Sequence, residues 1–78
     1  MKDYRKIVGD ALSDAVGIEI EEGQYGLDLI EHGLVDSLAM MNIIMHMEEN
    51  LGQRIDSKNF TNDDFRSFNS IRSLIEKL

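Results

Sequence analysis

The segment that decides the fold is DSLAMMNIIMHMEENLG, residues 36–52. Its apolar residues recur at three- and four-residue steps, and Gly52 stands where a left-handed helix end favours glycine. At the other end, a side-chain oxygen of Asp36 or Ser37 can accept a hydrogen bond from an unpaired backbone N–H. The segment is therefore predicted to be a helix that begins at Asp36 or Ser37 and ends before Gly52.

The start of this helix suits an anionic group on Ser37. Unpaired N–H groups and the helix dipole both favour negative charge there, so a phosphodiester on the hydroxyl would lie at the helix end that best tolerates anions. Taken alone, the tripeptide at 36–38 also fits an ordinary helix start with nothing attached.

Composition limits the possible classes of protein. The chain has 78 residues, 42% of them hydrophobic, which predicts one domain spanning residues 1–78 with a modest core. The absence of cysteine excludes a disulfide framework, a thiolate zinc site and a cysteine nucleophile. Since no apolar run approaches the ~18 residues of a membrane span and no signal peptide opens the chain, a soluble, cytoplasmic protein is expected, and we expect a monomer.

The acidic charge is concentrated around Ser37. Residues 21–51 contain seven acidic and no basic side chains, which matches the formal net charge of −7 of the whole chain. Such a field makes nucleic acid an unexpected partner and favours encounter with basic protein surfaces. Solubility of a small domain is the competing explanation.

The N-terminal part is predicted to be one helix followed by a long connection. Apolar periodicity runs from about Asp3 to Val16, and Gly17 ends it. Residues 18–35 lack periodicity and are punctuated by glycine. Four apolar residues are expected to anchor this connection to the core: Ile20, Leu27, Leu29 and Ile30.

The C-terminal part is predicted to contain a short third helix and a longer fourth one. Thr61 and Asp64 form a capping-box pattern that starts the short helix, which continues to about Arg66 with Phe60 and Phe65 facing inward. Ser67 is the expected cap of the last helix. That helix presents one apolar face: Phe68, Ile71, Leu74, Ile75 and Leu78. The predicted fold is all-α, a four-helix bundle with a long first loop.

Residues on both sides of 36–38 also match the sequence pattern of a known protein family. Residues 28–35 lead into the tripeptide, and Glu48, Glu49, Leu51 and Gly52 close the helix. The C-terminal part of the same family pattern is matched by Asn59, Phe60, Thr61, Phe65, Ser67 and Ile71. Over nearly all of its length the chain resembles the acyl carrier protein family.

The resemblance implies a function for Ser37. In that family the serine of the Asp-Ser-Leu motif carries a covalent 4′-phosphopantetheine arm, added by a phosphopantetheinyl transferase, and the arm's thiol holds acyl or aminoacyl groups as thioesters. Ser37 matches the attachment residue of this phosphoprotein family. The resemblance further implies that Asp36 orients the arm and contacts the transferase, and that Leu38 helps to dock the enzymes that load the carrier.

The chain is accordingly expected to be a carrier in fatty-acid, polyketide or related biosynthesis, without catalytic residues of its own. Ala39 and Asn42 stand where fatty-acid members are commonly acidic, so polyketide, aminoacyl or D-alanyl transfer fits about as well. The alternative from a different class is an unmodified acidic helical module that binds a partner helix.

The central helix carries more apolar residues than one buried face requires. At about 100° per residue, one group forms a predicted core face: Met40, Ile43, Ile44, Met47 and Leu51. The polar side holds Ala39, Asn42, His46, Glu49 and Asn50. Leu38, Met41 and Met45 form a further stripe beside Ser37, which is either a docking patch, the rim of an acyl pocket, or part of a wide core face. With Glu48 and Glu49, these three residues are the candidate partner-docking set.

Neither histidine is predicted to have a chemical role. His32 lies in the connection and His46 on the polar side of the central helix, and neither has a serine or a metal-ligand pattern near it in sequence. Both are expected to be solvated. The stretch from Asp56 to Ser67 departs from a calcium loop because Thr61 replaces the required glycine and Ser67 the final glutamate, so no metal site is predicted.

Overall fold

The computed structural model describes residues 3–56, 58 and 60–77, and this part of the chain is helical without strands. The α-helices are α1 (Tyr4–Val16), α2 (Ser37–Leu51) and α3 (Phe68–Glu76), and two short 3-10 helices are Glu22–Gln24 and Asn62–Phe65. None of the described helices combines the length and apolar character that crossing a bilayer requires. Asn59 and Leu78, both named above, lie outside the described residues.

The predicted helix ends are confirmed. Asp3 caps α1 through its carboxylate, which accepts a hydrogen bond from the Lys6 N–H at 3.2 Å. Ser67 caps α3 in the same way, with its hydroxyl 3.1 Å from the Ser70 nitrogen. Gly17 and Gly52 end α1 and α2 in the left-handed conformation, with φ of 69° and 67°. Local sequence therefore sets where these helices begin and end.

The predicted short third helix is a single 3-10 helix, Asn62–Phe65. Its start has the expected capping contact, in which the Thr61 N–H donates to Asp64 Oδ2 at 2.9 Å. Phe65 is buried and Phe60 half-buried, with their rings edge to face and 6.1 Å between centroids. The described residues thus contain three α-helices, and a fourth one is not established.

The core lies where α1 packs against both α2 and α3. The predicted face of α2 is confirmed, since Ile43, Ile44 and Met47 are buried while Met40 and Leu51 are half-buried. The remaining buried apolar residues are Val8, Ala11, Leu12, Leu29, Val35, Ala39, Ile55, Phe65, Phe68, Ile71, Leu74 and Ile75.

The long connection between α1 and α2 is held down by the predicted anchors. Leu29 is fully buried, and Ile20, Leu27 and Ile30 pack half-buried against the core. The Leu29 N–H donates to the Arg66 carbonyl oxygen at 2.6 Å. Tyr25 is a further anchor that was not predicted, because its ring stacks on that of Phe68 in α3 with 3.8 Å between centroids.

The prediction that Ala39 and His46 lie on the polar side of α2 is wrong. Ala39 is only 5% exposed, and the side chain of His46 is 18% exposed. The His46 Nδ1 lies 3.0 Å from Asp14 Oδ2 on α1. The reason is tertiary, because Ala39 joins the core and α1 reaches His46 through Asp14, while Asn42, Glu49 and Asn50 on the same side stay exposed. His46 is therefore not the solvated residue that the helical pattern indicates, whereas His32 is exposed as predicted.

Candidate functional site

Ser37 is the first residue of α2, and its position depends on Asp36. Asp36 is the N-cap, with extended backbone and a carboxylate oxygen that accepts a hydrogen bond from the Ala39 N–H at 2.9 Å. The first backbone bond of the helix runs from the Met40 N–H to the Asp36 carbonyl, also 2.9 Å. Since Asp36 does the capping, the exposed Ser37 hydroxyl has no hydrogen-bond partner among the described residues.

The other described serines have different surroundings. Ser67 is buried, and its hydroxyl lies 3.0 Å from that of Ser70 while also capping α3. Ser13 and Ser73 are exposed but lie within α1 and α3, away from the helix N-termini. Ser37 thus combines an exposed hydroxyl with the positive end of a helix dipole, where a phosphodiester is favoured.

A depression of about 230 Å³ opens beside Ser37 between α2 and the Asn62–Phe65 helix. Its apolar lining comes from Met40, Met41, Ile44, Phe60 and Phe65. Thr61 and Asn62 supply the polar part of the lining, and no charged side chain contributes. The depression can therefore accept an uncharged group attached near Ser37, whereas an ammonium placed there would lack a charged partner.

The stripe of Leu38, Met41 and Met45 faces outward. These side chains are 70%, 51% and 55% exposed, while Met47, two residues beyond Met45, is fully buried. The interpretation of α2 as one wide core face is therefore wrong for these three residues. An apolar strip of this kind next to Ser37 is typical of a surface that contacts other proteins.

The two acidic residues near the end of α2 are not equivalent. Glu48 is half-buried, and its Oε2 accepts a hydrogen bond from the Ile55 N–H at 2.8 Å. It thereby ties the segment after Gly52 to the helix, next to buried Ile55. Glu49 is exposed, without a side-chain partner among the described residues. Glu49 is thus available to a partner, whereas the Glu48 carboxylate already serves the fold.

Part of this site was not predictable from sequence. The carboxylate of Glu48 pairs with a backbone N–H seven residues away, and every non-proline residue offers such a donor, so the sequence gives no signal. The wall that Thr61 and Asn62 add to the depression depends on how the chain folds back on α2. Within the described residues no cluster of three or more His, Asp or Glu is arranged to hold a metal ion.

Comparison with known families identifies the type of domain. The family model described as the phosphopantetheine attachment site matches residues 6–78, which is nearly the whole chain. Members of this family hold 4′-phosphopantetheine covalently on a serine and in general act as carriers that interact with transferases and biosynthetic enzymes. On this match, the chain belongs to the phosphopantetheine attachment site family and is a phosphopantetheine carrier protein.

Proposed function

We propose that Ser37 is the attachment residue and that the chain carries acyl groups as thioesters to partner enzymes of fatty-acid, polyketide or related biosynthesis. The observation that supports this most directly is the exposed, unpartnered hydroxyl at the N-terminus of α2, inside the matched region. Ser67, the other helix-terminal serine among the described residues, is buried and engaged.

The chain's own residues position the arm rather than make or break bonds. The arm, when attached, supplies the thiol that forms the thioester. Asp36 fixes the first turn of α2 and thus the direction in which the Ser37 hydroxyl points. The backbone N–H groups of that turn favour the phosphodiester charge. We assign no catalytic residue to the chain.

The depression beside Ser37 favours an acyl cargo over an aminoacyl one. The depression offers no carboxylate to pair with the ammonium of an aminoacyl group. Its apolar lining suits an uncharged chain, so D-alanyl or other aminoacyl transfer is the less favoured alternative within the family.

Partner enzymes are proposed to contact the exposed stripe of α2. Leu38, Met41 and Met45 supply apolar area, and exposed Glu49 supplies charge at the far end of the same helix. Glu48 contributes to the acidic field there, although its carboxylate also holds the Ile55 N–H. The surrounding acidity favours transferases and loading enzymes with a basic face.

Loading with a phosphopantetheinyl transferase and coenzyme A tests the assignment of Ser37. Intact mass should show one added arm on the wild type, none on Ser37→Ala, and one on Ser13→Ala, the control with another exposed serine. Circular dichroism should show that both variants remain folded. An arm that persists on Ser37→Ala would overturn the assignment, as would a wild-type chain that several active transferases leave unmodified.

A further inference from the structure

The methionines that the structure describes all lie in α2 and differ widely in exposure. Met41 and Met45 are 51% and 55% exposed, Met40 is half-buried, and Met47 has no exposed surface. Met41 and Met45 are four residues apart on the helix, so they are neighbours on its surface. The sequence has no cysteine, so methionine supplies every sulfur atom of the unmodified chain. Two accessible thioethers therefore lie side by side on the helix that begins at Ser37.

An accessible thioether can be oxidised by a peroxide without help from a catalytic residue. The sulfur lone pair attacks one oxygen of hydrogen peroxide, the O–O bond breaks as the S–O bond forms, and the second oxygen leaves as water. Methionine is thereby oxidised to its sulfoxide while the peroxide is reduced. Because the peroxide has to reach the sulfur atom, exposed Met41 and Met45 should react well before buried Met47.

Oxidation would change the surface of α2 without changing its core. A sulfoxide is polar and chiral, whereas the thioether it replaces is apolar and flexible. Two of the three residues of the exposed stripe would gain a polar oxygen, and only Leu38 would keep its apolar side chain. Met41 also lines the depression beside Ser37, so the wall of that depression would become more polar. The fold should remain intact, because the core methionine Met47 stays reduced.

We propose that Met41 and Met45 form a redox-sensitive pair, in which oxidation by a peroxide to the two sulfoxides weakens engagement by the enzymes that load the carrier. The reverse step is reduction by a thiol-dependent methionine sulfoxide reductase, in which the sulfoxide oxygen leaves as water and two thiols become a disulfide. The modification itself rests on exposure and on sulfur chemistry. Its effect on loading rests on the proposed function.

NMR of the unmodified chain, labelled with ¹³C at the methionine methyl groups, tests the selectivity of oxidation. During treatment with hydrogen peroxide, the signals of Met41 and Met45 should move to the sulfoxide position first, Met40 should follow more slowly, and Met47 should stay reduced. In urea the four should react at similar rates, which is the control for intrinsic reactivity. Oxidation of Met47 as fast as Met41 in the folded chain, or loss of helical circular dichroism along with Met41 and Met45 oxidation, would overturn the proposal.

Transferase kinetics, measured after the peroxide has been removed, test the effect on loading. Oxidation should lower kcat/KM for loading of the wild type about three- to tenfold, and treatment with sulfoxide reductases and dithiothreitol should restore it. The double variant Met41→Leu, Met45→Leu is the control, because leucine keeps an apolar surface without sulfur. Whatever its starting rate, peroxide should not change it.

The outcomes separate this proposal from the assignment of Ser37. A wild-type chain that is loaded equally fast before and after oxidation would overturn the proposal, as would an equal loss in the double variant. A chain that is not loaded even before treatment would instead count against Ser37 as the attachment residue, and the NMR experiment would still decide whether Met41 and Met45 are the oxidised pair.

Discussion

At the scale of single residues, Asp36 and Ser37 have different roles at the start of α2. The Asp36 carboxylate caps α2 through the Ala39 N–H, and the Ser37 hydroxyl is left unpaired at the surface. Because Asp36 rather than Ser37 caps α2, an arm attached at the proposed residue Ser37 would leave the capping hydrogen bond in place and should not weaken the start of α2.

This division predicts unequal stability losses at neighbouring positions. Asp36→Ala removes the cap and should lower the free energy of unfolding by about 1 kcal/mol, whereas Ser37→Ala should lower it by less than about 0.5 kcal/mol. Urea denaturation of both variants and the wild type measures the difference. If Ser37→Ala lost as much as Asp36→Ala, the hydroxyl would be acting as the cap after all.

At the scale of the element, α2 has a buried side and an exposed apolar stripe. Met47 has no exposed surface, whereas Met41 is 51% exposed. Met47→Ala should therefore leave a cavity and cost about 2–5 kcal/mol, and Met41→Ala should cost under about 1 kcal/mol. Chemical denaturation compares the two, since both remove the same atoms. Similar large losses would show that the stripe contributes to the core rather than to docking.

The end of α2 provides a second comparison between matched side chains. Glu48→Ala leaves the partly buried Ile55 N–H without its acceptor, which should cost about 1–3 kcal/mol. Glu49→Ala removes an equal charge from an exposed position and should change stability by no more than about 0.5 kcal/mol. Amide hydrogen exchange at Ile55 should accelerate only in Glu48→Ala. Unchanged exchange there would show that Glu48 does not hold this segment.

At the scale of the whole molecule, Arg66 joins the long connection to the Asn62–Phe65 helix. Its guanidinium lies 3.0 Å from Asp28 Oδ2 and 2.7 Å from Asp63 Oδ1. The pKa of Asp28 is lowered chiefly by the Glu31 N–H that donates to its carboxylate at 2.8 Å; partial burial opposes this shift, and Arg66 adds to it. The charged form of Asp28 therefore stabilises the fold.

The lowered pKa fixes the direction of a pH effect. Because Asp28 titrates at lower pH in the folded than in the unfolded chain, its contribution is present above its ordinary pKa and is lost as pH falls through the folded value. Asp28→Asn should thus melt below wild type at pH 7, and the gap should begin to shrink near about pH 4 and close only as pH falls through the lowered folded pKa. Melting curves from pH 7 to pH 2.5 test this, with Glu31→Gln as an exposed-carboxylate control. A gap independent of pH would contradict the assignment.

Much of the fold follows from local sequence. Apolar residues three and four apart define the inner faces of α1, α2 and α3, and the side chains of Asp3, Asp36 and Ser67 mark where these helices start. Gly17 and Gly52 mark where two of them end, because a left-handed backbone costs glycine little. The candidate attachment residue belongs to this local category, since Ser37 is proposed from its neighbours in sequence before its exposure is known.

Other features depend on which segments the tertiary structure brings together. Periodicity placed Ala39 and His46 on a polar face, but Ala39 lies in the core and His46 pairs with Asp14 on α1. The depression beside Ser37 joins residues that are distant along the chain, and the hydrogen bond from the Ile55 N–H to Glu48 uses a backbone donor that any non-proline residue would offer. Sequence by itself therefore determined the helices and proposed the serine, because capping and periodicity act over a few residues. Only the tertiary structure decided what surrounds that serine, because the segment from Phe60 to Phe65 packs against α2 through contacts between residues distant along the chain.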